Sequence, residues 1–177
     1  MKKKTSFITF CAVVTALISA FMVASYFPYF TYAIPAVASA FIILPLCELN
    51  KKYALLTYIA SAVIVLFAAE MEAKLMFVCF FGYYPILKAI YEKTKSRVLE
   101  YILKFLTFNG AIILIYGVIS KIMGISLEGI GDFGKYSVLI LWVMGNIAFI
   151  LYDICLTRLC GFYIYRFHEK IKKIMRF

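Results

Sequence analysis

Charged side chains are scarce in this sequence. They make up 16% of the 177 residues, and only nine of them are acidic, whereas soluble domains carry about 25% charged residues. Hydrophobic residues make up 65% of the chain, and its mean hydropathy is +0.94. A single soluble core of this length cannot bury so much apolar surface. The composition therefore excludes a soluble globular domain and favours a protein whose solvent is the lipid bilayer.

Residues that build metal and catalytic sites are also few. The chain has one histidine, His168, and its five cysteines form no CxxC pair. They are Cys11, Cys47, Cys79, Cys155 and Cys160. A zinc site needs about four ligands at workable spacing, so we expect buried, unreactive thiols and neither a metal nor a cofactor. The apolar runs hold no HExxH or GxSxG motif and no Ser/His or paired-Asp arrangement, so the sequence does not predict an enzyme.

A glycine-rich stretch looks like a phosphate-binding loop, with Gly129, Gly131 and Gly134 in the order GxGxxG. Such loops bind phosphate where a strand leads into a helix. No strand-like run precedes this stretch, so we interpret it as a flexible loop. The sequence therefore predicts no ATP site within the chain itself.

Long apolar runs are what the chain does have. A membrane span needs about 20 apolar residues, and helix is the state expected because hydrocarbon satisfies no backbone polar group. The predicted helices cover residues 6–27, 32–49, 53–69, 75–91, 101–120 and 136–160, and a basic tail follows at 161–177. The predicted fold class is an all-α membrane protein, a bundle of six transmembrane helices forming one integral membrane domain over residues 1–177.

The basic residues predict which ends of the helices face the cytoplasm. With the N-terminus inside, only Lys74, Lys121 and Lys135 of the 19 Lys and Arg residues fall outside. This is the distribution that the positive-inside rule requires. It predicts cytoplasmic N- and C-termini in a multi-pass protein of the bacterial inner membrane. The net charge of +10 is then a topology signal, so we expect the lipid bilayer, and not nucleic acid, as a partner.

The first run carries a stripe of small residues, Ala12, Ala16 and Ala20. A spacing of four places all three on one helix face, and small residues let a second helix approach closely in lipid. Ordinary packing within the bundle is one explanation of the stripe. Docking of another membrane protein is the other.

In size, in its six predicted helices with both ends inside, and in this alanine stripe, the chain resembles the substrate-binding S component of an energy-coupling factor (ECF) transporter. The resemblance implies that Ala12, Ala16 and Ala20 dock on a transmembrane coupling subunit driven by ATPase subunits. It also implies that the chain captures a small-molecule ligand, such as a vitamin, for an ATP-driven importer. A non-catalytic membrane scaffold of the rod-shape-determining MreD type is the alternative function.

Three ionisable residues are predicted to lie at similar depth within the membrane: Asp153, Lys88 and Lys104. Buried charge in a bilayer costs at least about 2.5–3.5 kcal/mol and normally has a partner or a task. We expect Asp153 to pair with Lys88 or Lys104, either as a structural clamp or as a site for coupling or proton relay. Asn109 and Asn146, nearer mid-depth, are predicted to form hydrogen bonds between helices.

Aromatic and acidic residues gather at the predicted outer side. Aromatic walls with a few polar groups suit a planar organic ligand, although an interfacial aromatic belt would have the same composition. The candidate substrate-binding residues are Tyr29, Tyr32, Glu70, Glu72, Tyr116 and Trp142.

Overall fold

The structure, a computed structural model, describes residues 2–27, 29–94, 96–123, 137–168 and 171. Within these residues the chain is helical and contains no strand. The elements in chain order are α1 (Lys2–Val23), a 3-10 turn (Ala24–Tyr26), α2 (Ala33–Ala40), α3 (Ile43–Glu48), α4 (Lys51–Ala68), α5 (Met71–Met76), a π-helical turn (Phe77–Phe81), α6 (Tyr84–Tyr91), α7 (Arg97–Met123) and α8 (Ser137–Arg166).

Five segments of the described chain are long and apolar enough to cross a membrane. They are Lys4–Tyr26, Lys51–Ala68, Met71–Tyr91, Arg97–Ile115 and Trp142–Arg166. The apolar segment Ala33–Glu48, which contains α2 and α3, is shorter. The prediction of an all-α, multi-pass membrane protein is therefore confirmed, whereas the sixth crossing stays a prediction.

Several helices extend beyond the predicted apolar runs. Helix α1 begins at Lys2 and not at residue 6, α7 begins at Arg97 and not at 101, and α8 continues past residue 160 to Arg166. Lysine and arginine lie at these extended ends because their aliphatic stems follow the apolar surface while the charged groups reach water. Hydropathy marks the hydrocarbon-facing part of such a helix and not its full length.

The predicted second helix is divided in two near Phe41. The Phe41 and Ile42 amides bond three residues back, to Ala38 O at 3.2 Å and Ser39 O at 3.0 Å, which tightens the helix into a 3-10 turn. Pro45 has no N–H to continue the α-helical ladder back to Phe41. The chain therefore changes from α2 to α3 within one apolar segment, Ala33–Glu48.

The fourth predicted helix contains one wide turn. The Gly82 amide donates to Phe77 O, five residues earlier, at 2.8 Å, which is the bonding of a π-helical turn. At this turn the ring of Tyr58, on α4, packs directly against Gly82. A Cβ built on Gly82 would lie 2.6 Å from two carbons of that ring, so the two helices can meet here only because residue 82 is glycine.

We expect Gly82→Ala to lower the free energy of unfolding by about 1–3 kcal/mol, as overpacking of a tight contact does. The ring of Tyr58 cannot move aside freely, because its hydroxyl donates to Val78 O at 2.8 Å. Gly110→Ala is the matched control, since nothing lies within 4 Å of a Cβ there. Unfolding in mixed detergent micelles measures both variants, and equal stability of the two would contradict the account.

Two clusters of buried side chains hold the bundle together. In the first, Val14, Ile18 and Met22 of α1 pack with residues of α2 and α4. In the second, Phe80 and Tyr84 pack with residues of α7 and α8 that include Phe108, Phe149 and Leu156. The second cluster positions α6, α7 and α8 around the buried charges described next.

Candidate functional site

A network of charged side chains lies between α6, α7 and α8, centred on Asp153. Lys88 Nζ contacts Asp153 Oδ1 and also donates to the Asp153 carbonyl oxygen at 3.1 Å. Lys104 Nζ donates to Asp153 Oδ2 at 3.0 Å, and the Tyr84 hydroxyl donates to Oδ1 at 2.7 Å. The structure thus brings together all three of the charged residues that the sequence placed at one depth.

Two further carboxylates complete this charge network. Glu100 Oε1 forms an ion pair with Lys104 Nζ at 2.8 Å, and Glu92 Oε1 forms one with Lys88 Nζ at 3.1 Å. Lys88, Lys104 and Glu100 are 5%, 3% and 5% exposed. The charges balance within the buried part, because two lysines face Asp153 and Glu100.

The geometry of the charge network is that of a clamp, in which each lysine lies against more than one carboxylate. Lys88 Nζ donates to the carboxylate and to the carbonyl oxygen of Asp153, and Glu92 Oε1 lies 3.1 Å from the same ammonium group. Buried ions are tolerated only when paired and hydrogen-bonded in this way. A role in coupling or proton relay stays a prediction.

The Asn109 and Asn146 side chains form the predicted bond between α7 and α8. Asn109 Nδ2 donates to Asn146 Oδ1 at 3.3 Å. Trp142 joins them, because its Nε1 donates to Asn109 Oδ1 at 2.7 Å. This candidate ligand residue therefore already has a partner within the bundle, while half of its surface, 51%, is exposed.

Two of the other candidate ligand residues meet at the opposite end of α1 from Lys2. The Tyr32 hydroxyl donates to Glu72 Oε2 at 2.7 Å. This hydrogen bond, together with partial burial, raises the pKa of Tyr32 to about 12, so the phenol keeps its proton near neutral pH. Tyr29 lies close by in the sequence and is 95% exposed.

Glu70 has a structural task in the described fold. Its carboxylate accepts from the Ala73 amide at 3.4 Å and caps the start of α5. Its own amide donates to the hydroxyl of Ser25 at 3.2 Å, which ties the loop after α1 to the start of α5.

The side chain of Tyr116, the last candidate, lies outside the described residues. Among those described, the structure records no hydrogen bond from Trp142 to the Tyr32–Glu72 pair.

The alanine stripe lies on the outer surface of the bundle. Ala12, Ala16 and Ala20 are exposed, whereas Val14 and Ile18 on the other side of α1 are 1% and 0% exposed. No described residue of the chain covers the alanine face. Helix α1 is therefore anchored in the bundle by one side and free on the other.

Sequence reasoning missed a contact between α3 and the end of α8. Glu48 accepts from the Tyr163 hydroxyl at 2.6 Å, and His168 Nδ1 lies 3.0 Å from the same carboxylate oxygen. The sequence analysis assigned Tyr163 and His168 to the basic tail at 161–177, and it therefore did not predict that they contact Glu48. The position of Glu48 at the end of an apolar run was the one sequence signal that could have indicated this contact.

The thiols differ from the expectation of uniform burial. Cys11 is buried, but Cys155 is exposed on α8, and Cys47, Cys79 and Cys160 are only partly buried. Hydropathy ranks cysteine as apolar but does not say which side of a helix faces the bundle, and Cys155 lies on the outer side. Cys47 on α3 and Cys160 on α8 approach each other, with their Sγ atoms 3.6 Å apart.

Two clefts open near this α3–α8 contact, at the end of the bundle that carries the start of α4. The smaller, about 130 Å³, is lined by residues that include Lys88, Glu92 and Thr157. The larger, about 660 Å³, is lined by residues that include Cys47, Lys51 and Lys93.

Comparison of the chain with protein-family models, curated proteins and solved structures finds no match.

Proposed function

We propose that this chain is the substrate-capture subunit of an ATP-driven importer for a small solute such as a vitamin. In this proposal it crosses the bacterial inner membrane six times, with both termini in the cytoplasm. Partner subunits, one transmembrane and at least one ATPase, supply the energy. The proposal follows the resemblance to the S component of an energy-coupling factor transporter.

The exposed alanine face of α1 is the observation that supports this proposal most. Residues two positions apart on a helix point to opposite sides, and α1 buries Val14 and Ile18 while Ala12 and Ala16 stay exposed. Close helix packing through small residues is a main source of association within lipid. A docking surface needs a face that is both small and uncovered, and packing within the bundle alone would have buried it.

The sixth crossing in this proposal is the segment Ala33–Glu48. It is apolar but shorter than the other five, and a bilayer can thin locally around a short span. An even number of crossings puts both ends on one side. Lys51, Lys52 and Lys93 then lie in cytoplasmic connectors, as the positive-inside rule favours.

Solute capture is proposed at the opposite end, around Tyr29 and the Tyr32–Glu72 pair. Exposed aromatic rings beside a carboxylate can stack on and hydrogen-bond a planar organic ligand. Trp142 and Tyr116 are further candidates for binding the ligand, proposed from the sequence alone. The second candidate function, an MreD-type scaffold, needs no such surface.

Affinity purification from the native membrane in a mild detergent tests the proposed function. We expect ATPase subunits and one further membrane protein to co-purify with the tagged chain, and ATP hydrolysis by the complex to be measurable. Recovery of cell-wall enzymes without any ATPase would overturn the importer proposal in favour of the scaffold. A tagged α-helical membrane protein of unrelated function serves as the control for non-specific recovery.

A further inference from the structure

The cleft of about 660 Å³ has two kinds of wall. Its lining residues come from α3, the start of α4, α6 and the turn that follows it, and α8: Leu46, Cys47, Asn50, Lys51, Lys52, Ala89, Lys93 and Cys160. Three of these are lysines, and four are apolar or thiol side chains. The volume lies within the roughly 300–1,000 Å³ typical of small-molecule sites.

The three lysines of this cleft lack acidic partners. Lys51, Lys52 and Lys93 form no ion pair with any residue that the structure describes. The lysines deeper in the bundle differ in this respect, because Lys88 and Lys104 each contact carboxylates. The cleft thus concentrates three uncompensated positive charges that come from two separate parts of the chain.

The nearest acids in the sequence are engaged elsewhere. Glu48, three residues before Lys51, has a side chain that is 1% exposed and bonds to His168 and to the Tyr163 hydroxyl. Glu92, beside Lys93, forms an ion pair with Lys88. Neither acid forms an ion pair with the three lysines of the cleft, so their ammonium groups are open to an anionic ligand.

The backbone at the start of α4 does not supply this site. The amides of Lys52 and Tyr53 already donate to Asn50 Oδ1, at 2.9 and 3.2 Å. An anion in the cleft would be bound by the lysine ammonium groups and not by free helix amides. Lysine binds phosphate as a flexible point charge with three donors.

We propose that this cleft binds the phosphate headgroup of an anionic phospholipid. Its lysines lie at helix ends, where a membrane protein meets the headgroup layer, and Leu46 and Ala89 offer apolar contact to the glycerol and the first acyl carbons. Basic pockets between transmembrane helices bind acidic lipid headgroups by this combination of charge and apolar surface. A free phosphate ion shares the charge but leaves the apolar wall unused. The inference does not depend on the importer proposal.

The two thiols of the cleft provide a local readout. Cys47 and Cys160 line it, whereas Cys155 is exposed and belongs to none of its walls. Alkylation of each thiol by N-ethylmaleimide can be followed by peptide mass spectrometry on the full chain in neutral detergent. The added probes are short-chain phosphatidylglycerol, phosphatidylcholine of the same chain length, and inorganic phosphate.

We expect phosphatidylglycerol to slow alkylation of Cys47 and Cys160 while the rate at Cys155 stays unchanged. At a lipid concentration about ten times its dissociation constant, the rate should fall by roughly tenfold, because the free fraction is 1/(1 + [L]/Kd). Equal protection by phosphatidylcholine, or equal slowing at Cys155, would overturn the proposal. Protection by inorganic phosphate at the same concentration would overturn the lipid assignment in favour of a free anion.

A charge-matched pair of variants tests the lysines themselves. Lys51→Gln/Lys52→Gln/Lys93→Gln should abolish the protection, whereas Lys4→Gln/Arg158→Gln/Arg166→Gln, which removes three charges outside the cleft, should retain it. Alkylation rates without lipid that match those of the wild type show that each variant is folded. Loss of protection in both variants would mean general charge attraction and would contradict a built site.

Discussion

Asp153→Asn is expected to lower the free energy of unfolding by about 3–5 kcal/mol, the cost of breaking a buried ion pair from one side. The asparagine would keep the volume of the side chain but remove the negative charge between two lysines. Lys88 and Lys104 are 5% and 3% exposed, so neither ammonium group can recover its hydration without disrupting the bundle. Unfolding in mixed detergent micelles gives the free energy directly.

A second substitution shows whether the stability lost in Asp153→Asn comes from the unbalanced charge or from altered packing. Adding Lys88→Met to Asp153→Asn removes one positive and one negative charge, and Lys104 keeps Glu100 at 2.8 Å. Replacement of both members of a buried pair by uncharged groups is often tolerated, so the double variant should regain at least part of the lost stability. Glu72→Gln, at a partly exposed carboxylate outside the network, should cost less than about 1 kcal/mol. A double variant less stable than Asp153→Asn alone would contradict the clamp.

Ala16→Leu is expected to reduce recovery of the partner subunits by roughly five- to a hundredfold. Ala16 lies at the centre of the exposed alanine face, where a leucine would hold an approaching helix away. Overpacking of a close contact costs about 1–3 kcal/mol, and each 1.4 kcal/mol corresponds to about a tenfold change in affinity. Quantitative mass spectrometry of the co-purified proteins measures the effect.

Stability of the Ala16→Leu chain itself should be unchanged, because Ala16 is exposed and touches no core cluster. The matched control is Ala148→Leu, an exposed alanine on α8, which should leave partner recovery as in the wild type. An equal loss with both variants would indicate a general defect of membrane insertion. Full recovery of the partner subunits with Ala16→Leu would show that the alanine face is not the docking surface.

Hydropathy was sufficient for the helical class and for five long apolar segments, because continuous apolar runs permit no other state in lipid. It could not place the break near Phe41 or the wide turn before Gly82. Both depend on which backbone amides find partners, and Pro45 and Gly82 were the only local signals. The short segment Ala33–Glu48 consequently differs most from the predicted helices.

The charge network shows how much can be predicted by counting residue positions along each predicted helix. Position along each predicted helix placed Asp153, Lys88 and Lys104 at one level, and the structure has them in contact. Glu100 was missed because the fifth helix was predicted to start at residue 101. Since α7 starts at Arg97, Glu100 lies one turn before Lys104 and faces the same side.

The candidate ligand residues were the harder problem, because loops have no period that fixes their neighbours. Composition alone grouped Glu70 with Glu72, yet Glu70 caps α5 while Glu72 accepts from Tyr32. The lysine-lined cleft of about 660 Å³ was not predicted from the sequence. The sequence assigned Lys51, Lys52 and Lys93 to topology, and the lipid-headgroup proposal rests on their convergence on one cavity.

Labelling from one side of the membrane decides whether the Tyr29 end faces outward and the Lys93 end faces the cytoplasm. In a chain whose native cysteines are replaced by serine, Tyr29→Cys and Lys93→Cys are treated with a membrane-impermeant maleimide on intact cells. Both positions are exposed. We expect Tyr29→Cys to be labelled at once and Lys93→Cys only after the cells are permeabilised. Labelling of Lys93→Cys in intact cells would contradict this orientation.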